Sequence, residues 1–383
     1  MRGLPFEYAV RNLGRNPARL AMSAGGSMLV VLLVIAATSF ITGMNKSLRV
    51  SGSPRNIILM GAGSEESVER SEIAMRTTSI AATGISGIER IAGADAVSPE
   101  VHSALPVLTE AGAARNTVIR GVTPAAFLVH QEVLLDRGRL PDPGADELIV
   151  GRLAAKNLGL LDVGSTVRID ERPFMVVGIM SADGGVVEGE IWMPLSDILV
   201  ITQRDSLSCI VLRRVDESMS AAQIFVATRL DLELAAIRED EYFAGLAAFF
   251  EPVRLMVIAT AVLVAAGGVV GGLNTTYAAF ASRIREIGTL RTLGYSRLAI
   301  LRTLIEESVL MASIGGLLAA VVSRTVFDGI TVQFSMGAFG LEVGPAAISL
   351  GLVAGLLLGI AGAMIPAYRC LRLPIPQALR AAT

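Results

Sequence analysis

The sequence predicts a membrane α-helical protein with four transmembrane helices and a large α/β extracytoplasmic domain between spans 1 and 2. Three observations predict it. Mean hydropathy is +0.59, and 52% of the 383 residues are hydrophobic against 18% charged, too apolar for a chain of soluble domains alone. Four windows, 20–41, 253–277, 304–326 and 345–367, each supply the roughly 20 helical residues that a hydrocarbon core of about 30 Å requires. Charge is also segregated: residues 44–251 carry 19 basic and 29 acidic side chains, while the rest carry 14 and 6.

Taken in order, residues 1–19 read as a cytoplasmic amphipathic entry helix. Phe6, Val10, Leu13 and Leu20 recur near the 3.6 period, Arg11, Arg15 and Arg19 form a second stripe, and Asn16-Pro17 permits a bend before the span. Span 1 follows at 20–43; its apolar stretch is longer than the core of a cleaved signal peptide. The extracytoplasmic domain is expected over 44–251, span 2 over 252–279, an inner segment over 280–303, span 3 over 304–326, a short outer loop over 327–344, span 4 over 345–367 and a tail over 368–383.

Arginines set the orientation. They crowd residues 1–19, 280–303 and the tail, three segments that a four-span topology places on one side, and the positive-inside rule makes that side cytoplasmic, with both termini inside. The acidic half then lies outside, a balance that argues against nucleic acid as a partner. Cys209 and Cys370 fall on opposite sides of the membrane and are not expected to pair.

Within the outer domain, 56–60, 104–109, 117–120, 165–170, 174–179, 191–193 and 209–213 read as strands, and 87–92, 152–158 and 221–238 as helices. A β-rich subdomain is expected over roughly 115–200, with the flanks 50–113 and 205–245 pairing as one split α/β subdomain. The polar stretch 61–76 reads as a mobile loop.

The inner segment is the most informative. Ile284, Ile287, Leu290 and Leu293 recur every three residues on a short helix, Gly294 is placed to end it, and Ser296 to cap the next. Beside it, Glu306 and Glu307 sit where the third span begins, within reach of nearby arginines. Gly267 with Gly271, and Gly351, Gly355 and Gly359, are spaced at four and read as helix-packing positions, within the chain or to a second copy.

Catalytic signatures are missing. Neither Lys46 nor Lys156 sits in a Walker A loop, His102 and His130 lie in no H-E-x-x-H setting and read as isolated surface histidines, and no G-x-S-x-G elbow occurs. No catalytic residue, no metal ligand and no cofactor is assigned to the chain, and the substrate-binding residues stay unassigned.

Ser282-Arg283-Ile284-Arg285-Glu286-Ile287-Gly288-Thr289-Leu290-Arg291-Thr292-Leu293-Gly294-Tyr295 resembles the coupling element of the MacB/FtsX-like (type VII) ABC transporter permeases, a family that includes the lipoprotein-releasing permeases. Thr292 and Tyr295 stand where that family usually has alanine. The tail Ile365-Pro366-Ala367-Tyr368-Arg369 with Pro374 to Arg380, the start Ala9-Val10-Arg11-Asn12-Leu13, and the outer fragments Arg120-Gly121-Val122-Thr123-Pro124, Gly138-Arg139, Glu147 to Gly151, Leu158-Gly159, Val163-Gly164 and Val176-Val177-Gly178 are similar to the same family. The resemblance implies a permease subunit in the bacterial inner membrane that works by mechanotransmission. Arg283, Arg285, Glu286, Ile287, Gly288, Leu290, Leu293 and Gly294 would form the helix that docks on a separate ABC ATPase, present in two copies and holding ATP and Mg. A second permease copy, in a homodimer or heterodimer, membrane lipid and a periplasmic adaptor are the other implied partners. The alternative within the family is an FtsX-like signalling subunit that regulates a cell-wall hydrolase without transport.

Overall fold

The computed structural model describes residues 6–13, 17–109, 112, 114–159, 161–334 and 337–380. Arg15 and Asn16 therefore lie outside the described residues. The chain divides into two compact units, one of residues 1–42, 252–330 and 342–383, the other of residues 43–251 and 331–341.

The first unit is helical. A short helix, Phe6–Leu13, precedes the helix Pro17–Val50 that contains the first span; the other long apolar helices are Glu251–Ala281, Arg297–Val322 and Pro345–Arg372. Each exceeds the length needed to cross the hydrocarbon core. The chain is a multi-pass membrane protein. Span 4 packs against spans 1 and 3 through glycine: a Cβ added to Gly351 would come within 2.6 Å of Ile35, one at Gly355 within 2.7 Å of Val31, and one at Gly359 within 2.8 Å of Ala312. Without side chains there, the helix backbones approach closely enough for dispersion contacts to hold them.

The second unit is a mixed α/β domain. Its strands are β1 (Asn56–Gly61), β2 (Val97–Thr109), β3 (Ala114–Val122), β4 (Leu134–Gly138), β5 (Glu147–Gly151), β6 (Thr166–Ile169), β7 (Arg172–Ser181), β8 (Ile191–Pro194), β9 (Cys209–Arg213) and β10 (Leu234–Arg238). They run in the order β10-β1-β9-β2-β3-β8-β5-β7-β4, with β6 pairing β7 and β2. The helices are α1 (Thr77–Gly84), α2 (Ala126–Val129), α3 (Arg152–Asn157), α4 (Leu195–Thr202), α5 (Ser220–Thr228) and α6 (Glu239–Phe249). The long strand β2 joins two sub-sheets. Its start, Val97–Glu100, pairs with β9, and its remainder, Val101–Leu108, pairs with β3. The two flanks of the sequence thus share one sub-sheet and the middle forms the other. Strands β5 and β9 are buried at every position, as their apolar runs require of strands covered on both faces.

Four local expectations are corrected. No helix forms at 87–92: Gly87 (φ 79°) and Ala92 (φ 52°) turn the chain instead, a short strand pair joins Arg90–Ile91 to Ala94–Asp95, and the helix lies earlier, at α1. The helix expected over 221–238 stops at Thr228; after a left-handed Glu233, residues Leu234–Arg238 become β10, because pairing with β1 outweighs local helix propensity. The stretch 61–76 is anchored rather than loose. Ser71 Oγ accepts from Gly61 N at 2.8 Å, Val68 and Ile73 are buried, and Ile73–Ala74 pairs with Ser206–Leu207. The expected outer loop also folds: Thr331–Phe334 and Gly337–Gly340 form a hairpin whose Ala338 packs on Gly189 of the same unit.

Candidate functional site

After the second span helix, the short helix Ile284–Thr292 is joined by a tight turn to the third span helix, which begins at Arg297. Helix Ile284–Thr292 stops where Gly294 takes φ 90°, with Tyr295 N donating to Leu290 O and Gly294 N to Arg291 O, both at 3.2 Å. This is a Schellman closure, and it needs a residue that tolerates a left-handed backbone. Ser296 Oγ then accepts from Ala299 N at 3.1 Å and starts the third span helix.

One face of this element is locked to the rest of the unit. Ile287 is buried, and Ile284 and Leu290 pack with it against Phe280, Ile300, Leu304, Ala367 and Leu371. Gly288 receives the tail helix Ile375–Arg380, an added Cβ lying 3.1 Å from Ala378 Cβ, and Arg291 donates to Leu373 O at 2.5 Å. Arg283 is the hub. It donates to Glu286 Oε2 and to Glu307 Oε2, each at 2.9 Å, while Tyr8 OH donates to Glu286 Oε1 at 2.6 Å and Asn12 Nδ2 to Glu307 Oε2 at 3.1 Å. The entry helix, inner helix and third span are therefore one hydrogen-bonded body. Burial, with Glu286 adding to it, raises the Tyr8 pKa and keeps its hydroxyl a donor. Glu306 takes no part in the hub; it pairs with the exposed Arg302 at 2.8 Å.

The opposite face is open. Arg285, Thr289, Thr292 and Arg297 are exposed, and so are Leu293 (70%) and Leu298 (75%) at the turn. Leu293, which the periodicity places on the apolar stripe, leaves it because the three-residue repeat drifts around a 3.6-residue helix. Leu298 was not visible as its companion from spacing alone. Gly267 and Gly271 are likewise unpartnered within the chain, since an added Cβ at either meets nothing within 4 Å among the described residues.

A second arrangement, missed by the sequence reading, lies inside the outer domain. Arg120 on β3 donates to Glu190 through Nε (2.8 Å) and Nη2 (2.7 Å), and to Glu100 Oε2 on β2 through Nη1 (3.0 Å). Trp192 Nε1 donates to Glu190 Oε2 at 2.8 Å, and the guanidinium sits 5.3 Å from the indole ring centre. His130 is not a surface residue: it is 1% exposed, with Nε2 2.8 Å from Glu100 Oε1. His102 is half-buried on β2, 3.2 Å from Glu100 Oε2 and 3.8 Å from Cys209 Sγ. Register explains the gathering. His102 and Trp192 are both cross-strand partners of Arg120, Glu100 is that of Cys209, and Glu100 and His102 are two apart, so they share a face.

Electrostatics follows the geometry. Burial opposes the charged form of His130, but the Glu100 carboxylate outweighs it and lifts the imidazole to about 10. Burial would raise Glu100, yet His130 and Arg120 hold it well below the usual carboxylate range. Burial pushes Glu239 up and the Cys209 thiol well up, so that thiol is not a nucleophile. A charged residue inside an apolar strand, as Arg120 is, was the one signal that could have located this centre.

The outer motif fragments also meet in space. Gly138 (φ 87°) lies against Val177 and Gly178, where a Cβ would come within 2.1 Å of Val177 O; Arg139 pairs with Glu147, and Gly164 N donates to Val176 O at 2.8 Å.

Comparison with known proteins agrees with this layout. Residues 20–239 match the MacB-like periplasmic core domain, and residues 258–375 the FtsX-like permease C-terminal domain. The chain is similar to the macrolide export ATP-binding/permease protein MacB of Nitrobacter winogradskyi, at 24% identity over 96% of this chain and 58% of that protein. It is similar also to MacB of Rhodospirillum rubrum, at 25% over 99% and 60%. The pyoverdine export ATP-binding/permease protein PvdT of Pseudomonas entomophila is 26% identical over 62% of this chain and 38% of its own length. The chain thus spans no more than 60% of the length of these relatives. Among solved structures, the periplasmic region of MacB from Actinobacillus actinomycetemcomitans is 16% identical, with a TM-score of 0.40 over 52% of this chain and 94% of that one. With both domain types matched in sequence order over most of its length, the chain belongs to the MacB/FtsX-like permease family.

Proposed function

We propose that the chain is the permease subunit of an ABC complex, coupling ATP hydrolysis by an ATP-binding partner to export or extraction of a substrate on the outer side of the membrane. The observation that carries this reading is the inner helix pair, open on one face and locked on the other. Exposed Leu293 and Leu298 at the turn, with exposed Arg285 and Arg297 on the helices that flank it, offer an apolar, basic surface of the kind a groove on another protein takes. Arg283 ties the same element to Glu307 of the third span. A shove on that surface reaches the span through contacts rather than through a flexible loop, which is mechanotransmission.

In this reading the arginine-rich ends and both termini face the cytoplasm of a bacterial inner membrane, and the acidic domain faces outward. Two ATP-binding subunits hold ATP and Mg²⁺, so hydrolysis occurs on them. A second permease copy packs beside the second span helix, none of whose apolar window is buried and which carries the open Gly267 and Gly271. The names of the relatives, which speak of macrolide and pyoverdine export, support export as the activity; a periplasmic adaptor is a further partner in this reading.

Affinity purification of the tagged chain from its native host tests the proposal. An ATP-binding subunit, with ATPase activity that the chain stimulates, is the expected companion. Recovery of a cell-wall hydrolase without any ATP-binding subunit would replace export by signalling.

A further inference from the structure

Beside the buried charged centre, two buried ligand atoms, His130 Nδ1 and Glu132 Oε1, make no hydrogen bond among the described residues and lie close to Glu239 Oε1. His130 Nε2 is taken by Glu100, so Nδ1 points the other way, 3.5 Å from Glu239 Oε1 and 3.7 Å from Glu132 Oε1. Both separations are too long for hydrogen bonds. His130 Nδ1 and Glu132 Oε1 are buried without a hydrogen-bond partner among the described residues, and the three atoms lie within 4.8 Å of one another. Buried polar atoms left unsatisfied are uncommon and call for a reason.

The spacing supplies one. Two ligands held at about 2.0–2.1 Å on a tetrahedral zinc ion stand about 3.3 Å apart, so His130 Nδ1 and the two carboxylate oxygens it faces, at 3.5 and 3.7 Å, need close in by only a few tenths of an ångström. Their supports are already in place. Glu100 fixes the ring through Nε2, and Glu239 Oε2 accepts from Ser53 N at 3.0 Å and Asn56 Nδ2 at 2.8 Å, which sets that carboxylate with Oε1 toward His130 Nδ1. Such outer contacts set the tautomer and basicity of metal ligands.

The lining suits a cation: the Glu132 and Glu239 carboxylates flank the single imidazole of His130. An imidazole nitrogen beside two carboxylates suits a borderline ion such as Zn²⁺ better than the oxygen-seeking Ca²⁺ or Mg²⁺.

We propose that His130 Nδ1, Glu132 Oε1 and Glu239 Oε1 bind a zinc-type divalent ion, with water completing the shell. This departs from the sequence reading, which assigns no metal to the chain. The ion would staple the turn after α2 to the first residue of α6, the helix that ends two residues before the second span helix begins. The neighbouring trio Glu100, His102 and Cys209 is a poorer site, since Glu100 is already committed to Arg120 and His130.

The test uses the full chain in detergent micelles, freed of any affinity tag, stripped with chelator and titrated with Zn²⁺ by calorimetry. We expect one ion per chain and a rise in the thermal midpoint read at Trp192. Glu132→Gln, at the partly exposed edge of the site, should weaken binding at least tenfold and abolish the thermal shift, and His130→Gln should do the same. Should His130→Gln misfold, Glu132→Gln decides alone. Absence of saturable binding to the wild type, unchanged affinity in Glu132→Gln, or loss of the ion in Cys209→Ser instead would overturn the assignment. None of these readouts depends on an ATP-binding partner, so failure here leaves the permease reading standing, and the reverse.

Discussion

Replacing Arg120 by methionine should destabilise the outer domain by about 3–5 kcal/mol, the range for breaking a buried ion pair by removing one partner. The structure fixes why the loss is large. Three guanidinium nitrogens serve two carboxylates, and the Arg120, Glu100 and Glu190 side chains are 5% exposed or less. Methionine fills the volume of the arginine stem, so little of the loss is cavity and most is stranded charge. Among the described residues Glu190 keeps the hydrogen bond from Trp192 Nε1, while Glu100 keeps His130 and His102, which prevents a still larger effect. Trp192 is the single tryptophan of the chain and touches this network, so its fluorescence during urea unfolding reports the centre directly. With a urea slope of about 2 kcal/mol per molar, the midpoint should fall by roughly 1.5–2.5 M. Arg120→Met combined with Glu190→Met should recover much of this, less about 1 kcal/mol for the orphaned indole N–H. A midpoint shift below about 0.5 M in the single variant, or no recovery in the double, would show that water screens the cluster and that the buried-charge reasoning is wrong.

Three further outcomes are expected. Leu293→Asp with Leu298→Asp should leave the thermal stability of the chain within about 0.5 kcal/mol, both side chains being exposed, yet weaken binding of the ATP-binding subunit about a hundredfold in a titration; Leu290→Asp, whose side chain packs in the inner core, should instead unfold the element. With metal removed, the outer domain should be most stable near pH 5–6.5: the raised His130 pKa contributes fully below 6.5 and is lost as pH climbs through about 10, whereas the depressed Glu100 contributes above 4.5 and is lost on acidification, so His130→Gln should flatten the alkaline limb of a Tm-versus-pH curve. Gly351→Leu should disrupt the packing of span 4 on span 1 and lower the thermal midpoint by several degrees, whereas Gly267→Leu should spare the single chain and, if a second copy packs there, reduce dimer recovered by crosslinking.

Much of this protein is legible in one dimension because the bilayer reads hydropathy by length. Twenty apolar residues flanked by arginines specify a span without any distant partner, and Gly294 and Ser296 specify a turn because left-handed backbone and an N-cap are local needs. The same locality explains the failures. Residues 234–238 are helix-prone by themselves, and only β1 alongside makes them a strand; residues 61–76 look loose until Ile73 finds the core.

The chain by itself determined the four spans, the charge asymmetry, the inner helix pair and its glycine stop, all set by interactions within a few residues or with the solvent. Tertiary structure alone decided that Arg283 joins Tyr8, Glu286 and Glu307, that Leu293 and Leu298 are left bare, and that Glu100, Arg120, His130, Glu190 and Glu239 converge. A buried charge is tolerable only when residues far apart in sequence arrive together to pair with it, and that coincidence of strand register leaves no trace in spacing or composition.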